Sequence, residues 1–147
     1  MLSKLVGKKL TDIYSIGYID LENGEGVYHP DFRWIYFEFE DTLIEFESFK
    51  QFSKLRAEEV KDIRYQLEMD EDMIKAKSSI AEVVLISSFL AGNTVKQIEF
   101  KNGTEKECQA AQIILETGQI IFLDPSFPYG IGIGGKEQQE YWNFANI

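Results

Sequence analysis

The chain has 147 residues, a mass of 17.0 kDa and a formal net charge of −10, with 25 acidic residues against 15 basic ones. Hydrophobic residues make up 44% of it and aromatic residues 14%, which excludes general disorder, and the length predicts a single domain over residues 1–147. The acidic balance argues against a nucleic-acid partner, because phosphate binding needs clustered Lys and Arg, and against docking on an anionic membrane.

Turn residues divide the chain into short β-rich runs, in which apolar and polar residues often alternate. Short strands with closely spaced turns favour an antiparallel sheet over βαβ units. The predicted strands are 10–18, 33–39, 42–49, 63–69, 80–87, 95–101, 109–116 and 119–124.

Two segments predict short helices. The Ser48 hydroxyl is placed to cap a helix over 49–60, where apolar residues keep a roughly helical spacing. The segment 136–143 is polar with aromatic residues at its end and predicts a short closing helix. The expected fold class is therefore α+β, mostly antiparallel β, with one or two short helices.

Two stretches of the sequence resemble each other, at about residues 8–50 and 93–128. The predicted hairpin 115–121, with Thr-Gly at its turn, corresponds to 39–44, and a Ser-Phe pair follows each of them. Either the domain contains a duplicated β-meander, or two amphipathic hairpins look alike without common origin. The sequence leaves both interpretations open.

The glycine-rich segment 129–136, YGIGIGGK, has the spacing of a phosphate-binding loop. The residue after Lys136 is Glu137, where such a loop needs Ser or Thr, and too few residues follow for a βαβ unit. We interpret the glycines instead as positions where this strand bends or crosses close to another backbone.

The sequence has one histidine, His29, and one cysteine, Cys108, which are too few for a Cys/His zinc site. Glu105 and Glu107 precede the cysteine, and neighbouring carboxylates raise a thiol pKa, which disfavours a nucleophilic Cys–His pair. The acidic run 70–72 lacks the glycine and the spacing of a calcium loop. We therefore expect no catalytic residue, no cofactor and no metal.

The first 20 residues contain neither a long apolar run nor a small-residue cleavage site. The longest apolar-leaning stretch, 80–91, is too short for a membrane span. A lone thiol fits a reducing compartment, so the sequence predicts a cytoplasmic protein.

Most of the charge imbalance lies in residues 20–47, which hold nine acidic side chains against Arg33 alone. Strand alternation would bring four of these carboxylates, at 38, 40, 45 and 47, onto one sheet face, where like charges repel. A basic partner is the simplest compensation, and a solvated outer face is the alternative. Trp34 and Tyr36 are predicted core residues. The predicted partner-binding residues are Glu22, Glu25, Tyr28, Asp31, Phe32, Glu38, Glu40, Glu45 and Glu47.

Three segments carry a resemblance to a protein family: LVGKKLTDIYSI at 5–16, IILETGQIIFLDPSF at 113–127 and YGIGIGGKEQQEYW at 129–142. They resemble the small acidic immunity proteins of bacterial polymorphic-toxin and contact-dependent growth inhibition systems. The resemblance implies an intracellular β-rich protein that binds and occludes a cognate toxin domain, such as a nuclease with a basic cleft. The alternative is a small-molecule-binding or enzymatic β domain with a pocket near the strand from Gly130 to Gly135.

Overall fold

A computed structural model of the chain describes residues 2–21, 24–64, 73–86, 90–126 and 130–146. Its strands form two antiparallel sheets, which confirms the expected mostly antiparallel β fold. The first sheet has the order β4-β3-β2-β1-β5, and the second has the order β6-β7-β8-β9. The strands are β1 Leu10–Asp20, β2 Val27–Phe39, β3 Thr42–Phe49, β4 Lys54–Val60, β5 Met73–Ser79, β6 Val95–Lys101, β7 Ala110–Leu115, β8 Ile120–Asp124 and β9 Gly132–Gly134. The helices are α1 Ala81–Val84 and α2 Lys136–Ala145, and 3₁₀ turns cover Leu2–Leu5 and Leu90–Asn93.

The two sheets pack against each other across one hydrophobic core. At the end of β2, Ile35, Phe37 and Phe39 alternate with outward-facing residues and point into this core, and the same alternation in β7 supplies Ile113. Phe37 packs edge-to-face against Phe46 of β3, with ring centroids 5.2 Å apart. Each fully buried side chain of this size stabilises the fold by roughly 1.5–3 kcal/mol.

Backbone hydrogen bonds also join the two sheets at their edges. Leu55 of β4 and Cys108 exchange both amide hydrogen bonds, with N···O distances of 2.9 and 3.0 Å. At the other side, Lys9 and Thr94 form an isolated bridge just before β1 and β6. These links fix the relative position of the sheets independently of the side chains between them.

A bulge at residues 31–34 of β2 brings the first sheet into contact with the glycine-rich segment. The pairing of β2 with β1 shifts at this point, and the Phe32 carbonyl accepts a hydrogen bond of 2.7 Å from the Ile131 amide. Gly130 has φ +135°, and a Cβ at this position would overlap the Phe32 backbone. The interpretation of a glycine as a site of close backbone approach is therefore confirmed at Gly130.

The predicted helix over 49–60 is wrong. Lys50, Gln51 and Phe52 have positive φ angles and reverse the chain, so β3 continues directly into β4. Ser48 is buried in β3, where its hydroxyl donates to the Pro125 carbonyl at 2.9 Å. The roughly helical spacing was coincidental, because β4 alternates instead and buries Leu55 and Ala57.

The predicted strand over 80–87 is also wrong at its described residues, since α1 begins at Ala81. Ile80 and Val84, four positions apart, both pack against the core while Val83 is exposed, which is a helical rather than an alternating pattern. Residues 65–69 of the predicted strand 63–69 lie outside the described residues. The strands β4 and β5 were not predicted.

The closing helix is confirmed as α2. Residues 8–50 and 93–128 each contain an antiparallel meander, β1-β2-β3 and β6-β7-β8, and their common origin stays a prediction. None of the helices in the described ranges is long and apolar enough to cross a membrane.

Candidate partner-binding surfaces

The predicted partner-binding residues do not form one surface. Glu25, Tyr28, Asp31 and Phe32 lie toward the hairpin that joins β1 and β2, whereas Glu40 lies in the turn to β3. These two ends of β2 are separated by its 13 residues, a length of roughly 40 Å. Glu22 lies outside the described residues.

At the hairpin end, Glu25 is exposed and Asp31 is half-buried. The Arg33 guanidinium binds Asp31 with an Nη2···Oδ2 distance of 2.6 Å and lies over the Trp34 ring, 4.6 Å from its centroid. Phe32 is half-buried in the bulge, beside Gly130. Of the two acidic side chains described here, Glu25 is therefore the more accessible to a partner.

Tyr28 lies on the same side of the first sheet as the core. Its hydroxyl is 3.0 Å from the Ser15 hydroxyl, which is itself buried. Burial raises the pKa of Tyr28, and the hydrogen bond with Ser15 opposes this effect only in part. The tyrosine is thus neutral and half-buried.

The other predicted carboxylates belong to the outer face of the first sheet, which points away from the core. Trp34, Glu47 and Arg56 lie directly opposite one another on β2, β3 and β4. The Trp34 indole N–H donates to Glu47 at 2.8 Å, and the Arg56 guanidinium forms an ion pair with the same carboxylate. Glu47 is therefore neutralised within the protein.

A second row of this face contains Tyr36, Glu45 and Glu58. Glu45 is only 4% exposed, and the Tyr36 hydroxyl donates to it. Glu45 and Glu58 are like charges directly opposite each other, which is unfavourable. The Arg64 Nη2 resolves this repulsion, since it lies 3.2 Å from Glu45 and 2.5 Å from Glu58.

Glu38 is also on this face, and it accepts a hydrogen bond of 2.9 Å from the Thr11 hydroxyl. Glu40 is exposed in the β2–β3 turn, where it accepts a hydrogen bond from the Lys9 amide at 3.1 Å. The sequence analysis assigned the compensation of these acids to a basic partner. At Glu45 and Glu47 the compensation comes instead from Arg64 and Arg56.

The outer face carries a small apolar cluster of its own. Tyr36 and Ile16 are fully buried in it, and Trp34 is half-buried beside them. Both aromatic residues were predicted to be core residues, and both pack in this outer cluster. Alternation alone could not distinguish the two, because a covered outer face and a core face look alike in sequence.

A groove of about 470 Å³ crosses the outer face next to this cluster. The Lys77 ammonium lies 4.4 Å from the Tyr14 ring centroid in its wall. Burial, followed by a hydrogen bond with Asp12, raises the pKa of Tyr14 to about 12. The sequence analysis missed this groove, since most of its basic residues come from the unpredicted β5. Its lining includes Tyr14, Glu38, Leu43, Lys61, Lys75 and Lys77.

The region from Gly130 to Gly135, predicted as an alternative pocket, packs closely. β9 pairs with β8, and Gly134 lies against the Gln138 side chain of α2.

The lone cysteine and the lone histidine lie in different parts of the fold. Burial raises the pKa of the Cys108 thiol to about 11, and its sulfur contacts the Leu55 carbonyl at 3.4 Å. His29 stacks on Tyr18 in the hairpin, with ring centroids 5.0 Å apart.

No family model, curated protein or solved structure matches the chain. Within the described ranges, no group of three or more His, Cys, Asp or Glu side chains is arranged to hold a metal ion. The functional argument therefore depends on the surfaces described above.

Proposed function

We propose that this chain is an immunity protein that acts in the bacterial cytoplasm. It binds a cognate toxin domain of basic character, such as a nuclease, and blocks it by occlusion. The supporting observation is the division between two groups of acids. Glu45 and Glu47 are held by the chain's own arginines, and so is Asp31, which binds Arg33. The carboxylate of Glu25, by contrast, is exposed in the hairpin segment 20–31, which contains four acids and no Lys or Arg.

A concentrated negative surface would serve this function in two ways. It accelerates association with a basic protein, and this steering weakens as salt screens the charges. It also occupies a basic cleft in place of a phosphate substrate. Glu38 and Glu40, at the opposite end of β2, are secondary candidates, since a partner that covers both ends must span roughly 40 Å.

The test uses the C-terminal domain encoded by the reading frame immediately upstream. We expect that domain to arrest growth and this chain to cure the arrest. Glu25→Lys should weaken binding about fivefold at low salt, and salt should reduce the difference. Glu116→Lys is the matched control, because it makes the same charge change at an exposed turn of the second sheet.

A toxin that this chain cannot bind or neutralise would contradict the proposed function. Equal binding by the Glu25 and Glu116 variants, with no effect of salt, would contradict the role given to the acidic hairpin. The two results are separable, because the first concerns the wild-type chain and the second concerns only its variants.

The groove on the outer face favours a second candidate function, the binding of a small anionic molecule. Its three lysines, Lys61, Lys75 and Lys77, outnumber its two acids, Glu38 and Asp62. Together with the Tyr14 ring, these lysines suit a carboxylate or phosphate attached to a flat apolar group. A ligand of this class should raise the thermal unfolding midpoint, and Lys77→Gln should remove the increase. Lys106→Gln, at an exposed site outside the groove, is the control.

A further inference from the structure

The hairpin end of the first sheet presents an apolar ledge, which we define as Ile19, Leu21, Tyr28 and Ile74. Ile19 of β1 lies directly opposite Tyr28 of β2 and Ile74 of β5, and directly opposite residues in adjacent strands share one face. Leu21 is two residues beyond Ile19, and both side chains lie over Gly26. The ledge is therefore one continuous apolar surface contributed by three strands.

The ledge continues the core face of the first sheet. Ile13 and Ser15 precede Ile19 at alternating positions of β1, and Ile13 belongs to the core. The hydrogen-bonding distance between Tyr28 and Ser15 confirms that the tyrosine is on this same side. A face that is fully buried at Ile13 is thus only partly buried at Ile19.

The side chains at the outer end of the ledge are exposed to solvent. The Ile131 amide donates to the Phe32 carbonyl of β2 at the bulge, and Tyr28 lies four residues closer to the hairpin. Ile74 is 53% exposed and Leu21 is 41% exposed. An aliphatic patch that extends a core face into solvent is typical of an interaction surface.

We infer that the ledge is the docking site for a basic protein partner, which places an apolar side chain against Leu21 and Ile74 and surrounds it with Lys or Arg. This inference rests on the proposed function and names the surface that performs it. Charge complementarity selects the occupant, since the chain has a net charge of −10 and the exposed Glu25 lies in the adjoining segment 20–31, which contains no Lys or Arg. A second copy of this chain would bring two net charges of −10 together and be repelled.

The test is the double variant Leu21→Thr/Ile74→Thr, measured against the upstream toxin domain. Threonine has the β-branched shape that suits strands, which Ile74 shares, and at both positions it removes apolar area. Val27→Thr is the matched control, because Val27 is 51% exposed at the same hairpin but lies opposite Asp20, on the other face of the sheet. We expect about tenfold weaker binding for the double variant and less than about twofold for the control. Unchanged circular dichroism and urea midpoints establish that both variants fold.

Equal binding of the toxin domain by the wild-type chain, the double variant and the Val27 variant would overturn the inference that the ledge is the docking site. It would leave the proposed function intact. If the wild-type chain does not bind the toxin domain, the proposed function fails, and a synthetic ten-residue peptide that alternates Lys and Leu becomes the probe. Weaker peptide binding by the double variant alone supports the ledge. Equal peptide binding by all three proteins, or no binding by any of them, overturns it.

Discussion

The outer faces of the two sheets are shielded in different ways. On the second sheet, α2 lies across β8, and the Trp142 ring packs 5.8 Å from the Phe122 ring. Polar contacts from Gln138 to Asp124 and from Gln139 to Gln112 border this apolar contact. On the first sheet, side chains from neighbouring strands and from the segment after β4 form ion pairs and hydrogen bonds over a small apolar cluster.

A covering helix and a covering network of charged side chains make different demands on the sequence. A helix removes apolar area from water without regard to pairing, so its contribution depends on burial. A charged ladder must match each donor with an acceptor, because an unpaired buried carboxylate is costly. The second face should therefore depend on one large side chain, and the first face should depend on the completeness of its network.

Trp142→Ala should produce the largest effect, because it removes the main apolar contact between α2 and the second sheet. Trp142 is 7% exposed, and truncation of a buried aromatic side chain of this size costs about 3 kcal/mol of unfolding free energy. Urea denaturation followed by circular dichroism measures the loss. Tyr141→Ala, at the adjacent position with 60% exposure, should change stability by less than about 0.5 kcal/mol. Similar losses for both variants would show that α2 is not held by this contact.

Arg64→Ala should cost about 1–2 kcal/mol, less than the tryptophan variant, because half of the arginine side chain is exposed and water can replace part of it. The loss arises from Glu45, which remains buried opposite Glu58 without its cation. Lys50→Ala breaks the exposed Lys50–Glu107 pair and should cost less than about 0.5 kcal/mol.

The additional substitution Glu45→Gln isolates the cause of that loss. A neutral amide can still accept the Tyr36 hydrogen bond but does not repel Glu58. We therefore expect the Glu45→Gln/Arg64→Ala double variant to recover part of the stability that Arg64→Ala loses. A double variant less stable than the single one would show that Arg64 acts through packing and not through the paired carboxylates.

The core strands could be predicted from sequence because alternation is a local signal. Phe37, Phe39, Ile44 and Phe46 follow it closely. The strand β3 was predicted to the residue, whereas the prediction of 33–39 missed the first six residues of β2. The prediction of a helix over 49–60 failed because the chain reverses at Lys50–Phe52 with positive φ angles. Such a reversal cannot be recognised from the spacing of apolar residues. β5 was missed because it is an edge strand with most of its side chains exposed, so it shows little alternation.

The candidate surfaces were only partly predictable for a related reason. Alternation correctly brought Glu38, Glu45 and Glu47 onto one face, as the register of β2 and β3 shows. The neutralisation of Glu47 and Glu45 depends on Arg56 and Arg64, which reach these acids through the pairing of β4 and the path of the chain after it. The ledge required Ile74 of the unpredicted β5, so no pattern within 20–47 could identify it.

The smallest predicted effect is a change in the pH dependence of stability, which arises from Tyr36 on the outer face of the first sheet. Burial and the hydrogen bond to Glu45 raise the pKa of Tyr36 above its ordinary value near 10. Above about pH 10 the unfolded chain releases this proton while the folded chain keeps it, so stability that is fully present below pH 10 falls as the pH rises. Tyr36→Phe should make this decline shallower in urea titrations from about pH 8 to about pH 11. Tyr141→Phe, on the exposed side of α2, is the matched substitution control. If stability falls equally steeply with pH in the Tyr36 variant and the wild-type chain, the contact with Glu45 does not hold this tyrosine in its neutral form.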